Sequence, residues 1–147
     1  MMKSKQLNAA PERTYVLVLE SGDEAMGCLG RFAREQRLDA ARFTAIGAFS
    51  DAVLGFYDLE RRDYLRTAVH EQVELVSLIG DVALDADGAP KVHAHAMLAR
   101  RDASACGGHL IEAHVRPTLE VMLVESPGWL RRRHDAASGL ALIDPAA

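Results

Sequence analysis

Val69-His70-Glu71-Gln72-Val73-Glu74-Leu75-Val76-Ser77-Leu78-Ile79-Gly80-Asp81-Val82-Ala83-Leu84-Asp85 reads as one long strand. Valine, leucine and isoleucine dominate it, the composition of a strand. Gly80 interrupts the run, as a bulge or a close backbone approach would. Asp85-Ala86-Asp87-Gly88 is a hairpin signal, and Lys91 to Arg100 reads as the next strand. An antiparallel pair is therefore the centre of the fold. Outward from it, Arg42–Ala48 and Ala52–Leu59 read as two strands separated near Gly47–Asp51, and Tyr64–Arg66 reads as a short one. Asp102–Gly108 reads as a small-residue loop. His109–Val115 and Thr118–Glu125 read as two further strands with Pro117 between them. Arg13–Glu20 reads as the first strand. Behind it, Ser21 and Glu24 have capping-box spacing. Ala25, Cys28, Leu29 and Phe32 then recur at helical spacing, with Met26 and Ala33 widening the stripe, which predicts an amphipathic helix of about 14 residues. The expected architecture is α+β: a single domain with a mainly antiparallel or mixed sheet of about seven or eight strands and one long packed helix near the N-terminus.

The chain has 147 residues, enough for one domain with a core that needs no staples. Residues 1–12 are polar and read as a flexible leader; residues 13–147 read as the domain. At 49% hydrophobic and 26% charged, the composition excludes the disordered class. Lys and Arg number 17 and Asp and Glu 21, a net charge of −4, which argues against non-specific phosphate binding. Aromatic residues make up only 5% of the chain, a poor supply of base-stacking platforms. Cys28 and Cys106 allow one bridge at most, so this is no disulfide scaffold. Cys28 lies on the apolar helix stripe and reads as a core residue. No apolar run follows Lys3 and Lys5 as in a signal peptide, and none approaches the ~20 residues of a membrane span. A cytoplasmic protein with no membrane partner is the expectation.

Walker, Rossmann and nucleophile-elbow motifs are missing. The histidines carry the chemistry instead. His93 and His95 stand one residue apart on a strand, so their imidazoles project from the same face. A hairpin through residues 96–108 brings His109 back beside His95. Three neutral imidazoles with an open fourth position form a catalytic-type zinc arrangement; the competing reading is a solvated or hydrogen-bonded face. Gly107 and Gly108, with Ala94 and Ala96, leave room for a ligand or a neighbouring chain. His114 reads as structural, and His70 and His134 as surface residues. Glu74 and Glu120 lie inside apolar strands; they read as solvent-facing or ion-paired, and, with Arg116, as candidates for orienting or binding a ligand. Arg131-Arg132-Arg133 reads as a solvated strand end.

Six pieces occur in order: Phe43–Ala48, Gly55-Phe56-Tyr57-Asp58, Glu74–Gly80, His93-Ala94-His95-Ala96, Gly107-Gly108-His109-Leu110 and Thr118-Leu119-Glu120-Val121. Together they resemble the plants and prokaryotes conserved (PPC) domain, whose bacterial members are often described as candidate DNA-binding proteins with a PD1-like motif. The resemblance spans about residues 13 to 125. It implies an α+β fold, a homotrimer, and a metal ion, typically zinc, on His93, His95 and His109. Plant relatives join this domain to an AT-hook with an Arg-Gly-Arg-Pro core; the sequence given has no such element. Three functions follow as expectations. The first is a homotrimeric metal-binding domain, with a small-ligand or hydrolase- or lyase-type site. The second is a DNA-associated regulatory protein, and the third a non-catalytic trimerisation or partner-binding scaffold.

Overall fold

The computed structural model describes residues 2–8, 12–126 and 128–146. Along the chain it places β1 (Lys3–Asn8), β2 (Thr14–Glu20), α1 (Ala25–Glu35), β3 (Ala40–Asp58), β4 (Asp63–Val69) and β5 (Val73–Leu84). Then follow β6 (Pro90–Ala99), β7 (Ala105–Glu125), β8 (Arg131–His134) and β9 (Ala141–Asp144). The fold is thus mostly sheet with one short helix. The ladders are antiparallel apart from a single parallel contact of Leu84 with Arg131. β3 pairs β5, β5 pairs β6, β6 pairs β7, and β7 returns to β3. These four strands close on themselves, with residues 90–94 of β6 paired only to β5.

The central hairpin forms as β5 and β6, in a register that pairs Leu84 with Pro90 and Ile79 with His95. Its first strand starts later than expected, because Val69 closes β4 against Ala52. Gly80 stays in register with both neighbours. Its lack of a side chain serves a close approach: a Cβ there would lie 2.2 Å from the Phe43 ring and 2.6 Å from the His93 carbonyl oxygen. The irregularity sits instead between Leu75 and Ser77. One extra residue there lets Leu75 and Leu78, three apart, both point into the core.

Four expectations are corrected. The break at residues 47–51 is not a turn: β3 runs through it, and register shifts between Gly47 and Asp51 absorb the bend. β7 likewise runs through Pro117, which lies in the gap between the Val115–Phe49 and Leu119–Gly47 pairs. Its missing N–H falls where β3 requires no donor. The helix has 11 residues, and Glu24 caps it alone by accepting from the Met26 and Gly27 amides; Ser21 donates instead to the Pro117 carbonyl. Residues 3–8, read as leader, run as β1 antiparallel to β2.

The helix buries Ala25, Cys28, Leu29, Phe32 and Ala33, the stripe its spacing predicts. Arg37, at φ 53°, ends it, and the Leu38 amide returns to the Ala33 carbonyl. Phe43, Phe49, Leu78, Leu98, Leu110 and Leu119 are among the fully buried side chains. Across β3, β5, β6 and β7 the opposite set faces outward, and Ile46, Val76, Ile79, Met97 and Met122 are exposed, Ile46 and Ile79 to 61% and 63%.

Candidate metal centre

Strand alternation on β6 sends Ala94, Ala96 and Leu98 into the core. His93 and His95 are left together on the other face. His95 pairs directly with His109 across the β6–β7 ladder, and Ala96 with Gly108. One nitrogen from each of His93, His95 and His109 lies within 4.8 Å of the other two. The ring centroids are 5.1 Å apart for His93–His95, 5.1 Å for His93–His109 and 5.6 Å for His95–His109.

Gly107 and Gly108 belong to β7, not to a loop. A Cβ on Gly107 would lie 2.7 Å from the Ala96 carbonyl oxygen, and one on Gly108 would lie 2.7 Å from the Gly55 carbonyl oxygen. Only glycine lets β7 pass this close to β6 and β3 and deliver His109 to its neighbours. Gly55 serves the same purpose: Tyr64 packs over it and stacks on the His109 ring at 4.6 Å between centroids.

Burial holds the His109 imidazole down to about 4, helped by His93, His95 and Lys91 nearby. Burial, with His93, also lowers His95. Both are therefore neutral near pH 7, the form that ligates a metal. His109 Nδ1 is buried and has no hydrogen-bond partner among the described residues. Such a nitrogen is costly unless something binds it. Three imidazoles within reach of one another suit a borderline-soft cation, so the residues present fit a zinc-like ion. Asp81, the ladder partner of His93, holds a carboxylate oxygen 3.6 Å from His93 Nδ1. Burial alone would raise the Asp81 carboxyl; His93 and Arg132 outweigh it and hold it below its ordinary value. Carboxylates placed this way orient metal-binding imidazoles.

Beside the triad lies a cavity of about 220 Å³, lined on one side by His93, His109 and Tyr64 and on the other by Leu140, Ala141 and Leu142. The second wall is the β8–β9 hairpin. Arg132, read from sequence as solvated, is 7% exposed. It pairs with Asp81 and donates to the Ala141 carbonyl. Tyr57 Oη also donates to the Ser138 carbonyl at 2.9 Å.

Glu74 and Glu120 lie elsewhere. They line a separate groove of about 580 Å³ with Ile46, Val76 and Pro117. Glu74 precedes Ile79, the partner of His95, by five positions on β5, or about 16 Å of strand. Arg116 is exposed, seven residues beyond His109 on β7. His114 meets Asp51 at 2.8 Å, away from the triad. Sequence reasoning passed over Asp81, Tyr64 and Arg132. Asp81 had only a partial signal: counting outward from the Asp85–Gly88 turn pairs it with Val92, and the one-residue wider loop that pairs Leu84 with Pro90 shifts its partner to His93. Tyr64 and Arg132 had none, because each arrives through a tertiary contact.

The profile of the Plants and Prokaryotes Conserved (PCC) domain matches residues 6–127. A Pyrococcus horikoshii plant- and prokaryote-conserved protein is 30% identical; the match covers 98% of this chain and 94% of that one, with a TM-score of 0.84. A metal-containing protein of Archaeoglobus fulgidus is also 30% identical, covering 97% of each chain at a TM-score of 0.82. A candidate DNA-binding protein of Ralstonia eutropha JMP134 is 29% identical over 88% of this chain and 90% of that one, at 0.83. No curated protein matches the sequence. No helix among the described residues is long and apolar enough to cross a membrane. The profile covers most of the chain, and two of these relatives are 30% identical over nearly their whole length: this chain belongs to the plants and prokaryotes conserved domain family.

Proposed function

We propose that this domain binds one divalent metal ion per chain, zinc by preference, through His93, His95 and His109, and works as a cytoplasmic homotrimer. The observation that carries the reading is the convergence of three imidazoles from two paired strands, one with a buried nitrogen lacking a partner among the described residues. When bound, the ion supplies a Lewis acid with an open position for a small ligand or a water, as hydrolase- or lyase-type chemistry needs. Asp81 orients His93, Tyr64 fixes the plane of His109, and the β8–β9 hairpin restricts water on one side. The name of the Archaeoglobus relative supports a metal. The outward apolar face of Ile46, Val76, Ile79, Met97 and Met122 supports self-association, since patches of this kind mark interfaces.

The test is elemental analysis of the purified, untagged protein beside His95→Ala. One ion per chain in the parent, lost in the variant, is the expected result. No ion in either after zinc addition refutes the reading. Sedimentation equilibrium is expected to give about 48 kDa, three times the 16.0 kDa chain; a monomer refutes the trimer. The name of the Ralstonia relative favours a second reading, a DNA-associated module. The net charge of −4 opposes it, and absence of a gel shift at low salt, where phosphate attraction is strongest, eliminates it.

A further inference from the structure

We infer that the cavity between the histidine triad and the β8–β9 hairpin binds a small aliphatic carboxylate, with its charged end toward Lys91 and the triad and its apolar body against the hairpin. The inference rests on the metal reading above and names the ligand class of that site. Size comes first. A space of about 220 Å³ holds roughly seven waters at about 30 Å³ each, which matches a carboxylate of four or five carbons. Charge comes next. His93 and His109 open directly into the cavity, and neutral imidazoles leave the charge of a bound dication uncompensated. Lys91 lines the same cavity and has no ion-pair partner among the described residues. Asp81 cannot balance these charges, because its carboxylate is already shared between Arg132 and His93. No Asp or Glu is among the residues that line the cavity. The site therefore has cationic groups and lacks an anion.

The wall chemistry then selects among anions. Val92 on one side and Leu140, Ala141 and Leu142 on the other are apolar. A hydrated inorganic anion would gain nothing from them, whereas a short alkyl chain would leave water there. The wall is also held in place. Arg132 is clamped by Asp81 and the Ala141 carbonyl, and the Leu84 amide donates to the Leu130 carbonyl at 2.7 Å. A fixed wall spares the ligand the cost of ordering it.

The test uses the zinc-loaded full chain, with zinc stoichiometry measured on the same sample. Isovalerate, acetate, phosphate and isovaleramide are titrated by calorimetry. Isovalerate is expected to bind at least tenfold tighter than acetate, because its extra carbons leave water, and at least tenfold tighter than the neutral amide. Lys91→Gln is expected to weaken isovalerate about three- to fivefold while zinc stays at one per chain. Leu142→Ser is expected to weaken isovalerate and leave acetate unchanged, which isolates the apolar wall. Both side chains are exposed or largely exposed, so both variants fold. Equal affinities for acetate and isovalerate, tighter binding of phosphate, or no effect of Lys91→Gln overturns the inference while the metal reading stands. A parent that takes up no zinc overturns both.

Discussion

Replacing Gly80 by alanine tests whether the core and the metal centre are mechanically one object. The added Cβ would lie 2.2 Å from Phe43 Cζ, 2.7 Å from Phe43 Cε1 and 2.6 Å from the His93 carbonyl oxygen. The Phe43 ring is fully buried and cannot swing away without displacing its neighbours. The carbonyl oxygen belongs to the backbone of the strand that carries His93 and His95. Overpacking of this kind costs about 1–3 kcal/mol. A backbone clash added to a side-chain clash puts the cost near the top, about 3 kcal/mol. Alanine recovers roughly 0.4–1 kcal/mol by restricting the unfolded chain. The net loss is then about 2 kcal/mol or more, which for a domain of this size lowers Tm by roughly 4–8 °C. The assay is calorimetric unfolding of metal-free protein at fixed chain concentration, followed by a zinc titration. The titration should show weaker binding, because β6 has to move away from β5 to admit the methyl. Gly88→Ala is the control: nothing lies within 4 Å of its Cβ, and only a φ of +79° resists the change. A Gly80→Ala protein that melts within about 1 °C of the parent and binds zinc equally well would refute the reasoning.

Three further outcomes are expected. Glu24→Ala removes the acceptor for the Met26, Gly27 and Ala113 amides; it should cost about 1–2 kcal/mol in urea unfolding, and a loss below about 0.3 kcal/mol would show that water replaces the cap. Arg132→Met strands the half-buried Asp81 carboxylate; breaking a buried pair costs about 3–5 kcal/mol, reduced to about 2 kcal/mol because Asp81 keeps some solvent, and limited proteolysis should then cut first between residues 135 and 140. In metal-free protein the folded His109 binds its proton only near pH 4, while an unfolded histidine does so near 6.5. The folded state thus holds fewer protons at this site across that window, so the contribution of His109 to stability should fall as pH drops from about 6.5 toward 4 and stay level above it. Proton NMR should place His114 on the opposite side of its ordinary value, raised by its hydrogen bond to Asp51.

The parts of this fold that could be read from the sequence were those with local causes. The helix stripe from Ala25 to Ala33, the Asp85–Gly88 turn and the alternation of His93 with Ala94 and His95 each follow from a period or a turn type. Continuous β3 and β7 did not, because Gly47 and Pro117 are the residues that normally stop a strand. Here a register shift and an unneeded donor allow pairing to continue across them. The short helix followed from Glu24 serving as its own cap instead of completing a box with Ser21. Glu74 and Glu120 drew attention as charges inside apolar strands, yet alternation alone sends them to the outer face. Arg132 shows the limit most clearly. Three consecutive arginines carry no sign that the middle one will be buried on Asp81, fifty-one positions away.

The pairing of His95 with His109 has a consequence for how the chain folds. A strand containing Gly107 and Gly108 offers its partner few side chains with which to set alignment, and such strands slip easily. A slip of one residue would turn His109 to the opposite side of the sheet, away from His93 and His95. A cation that requires all three imidazoles would therefore bind the correctly aligned chain and reject the slipped one. It would act during folding as an inspector of alignment, drawing the population toward the native pairing by mass action before any ligand is present.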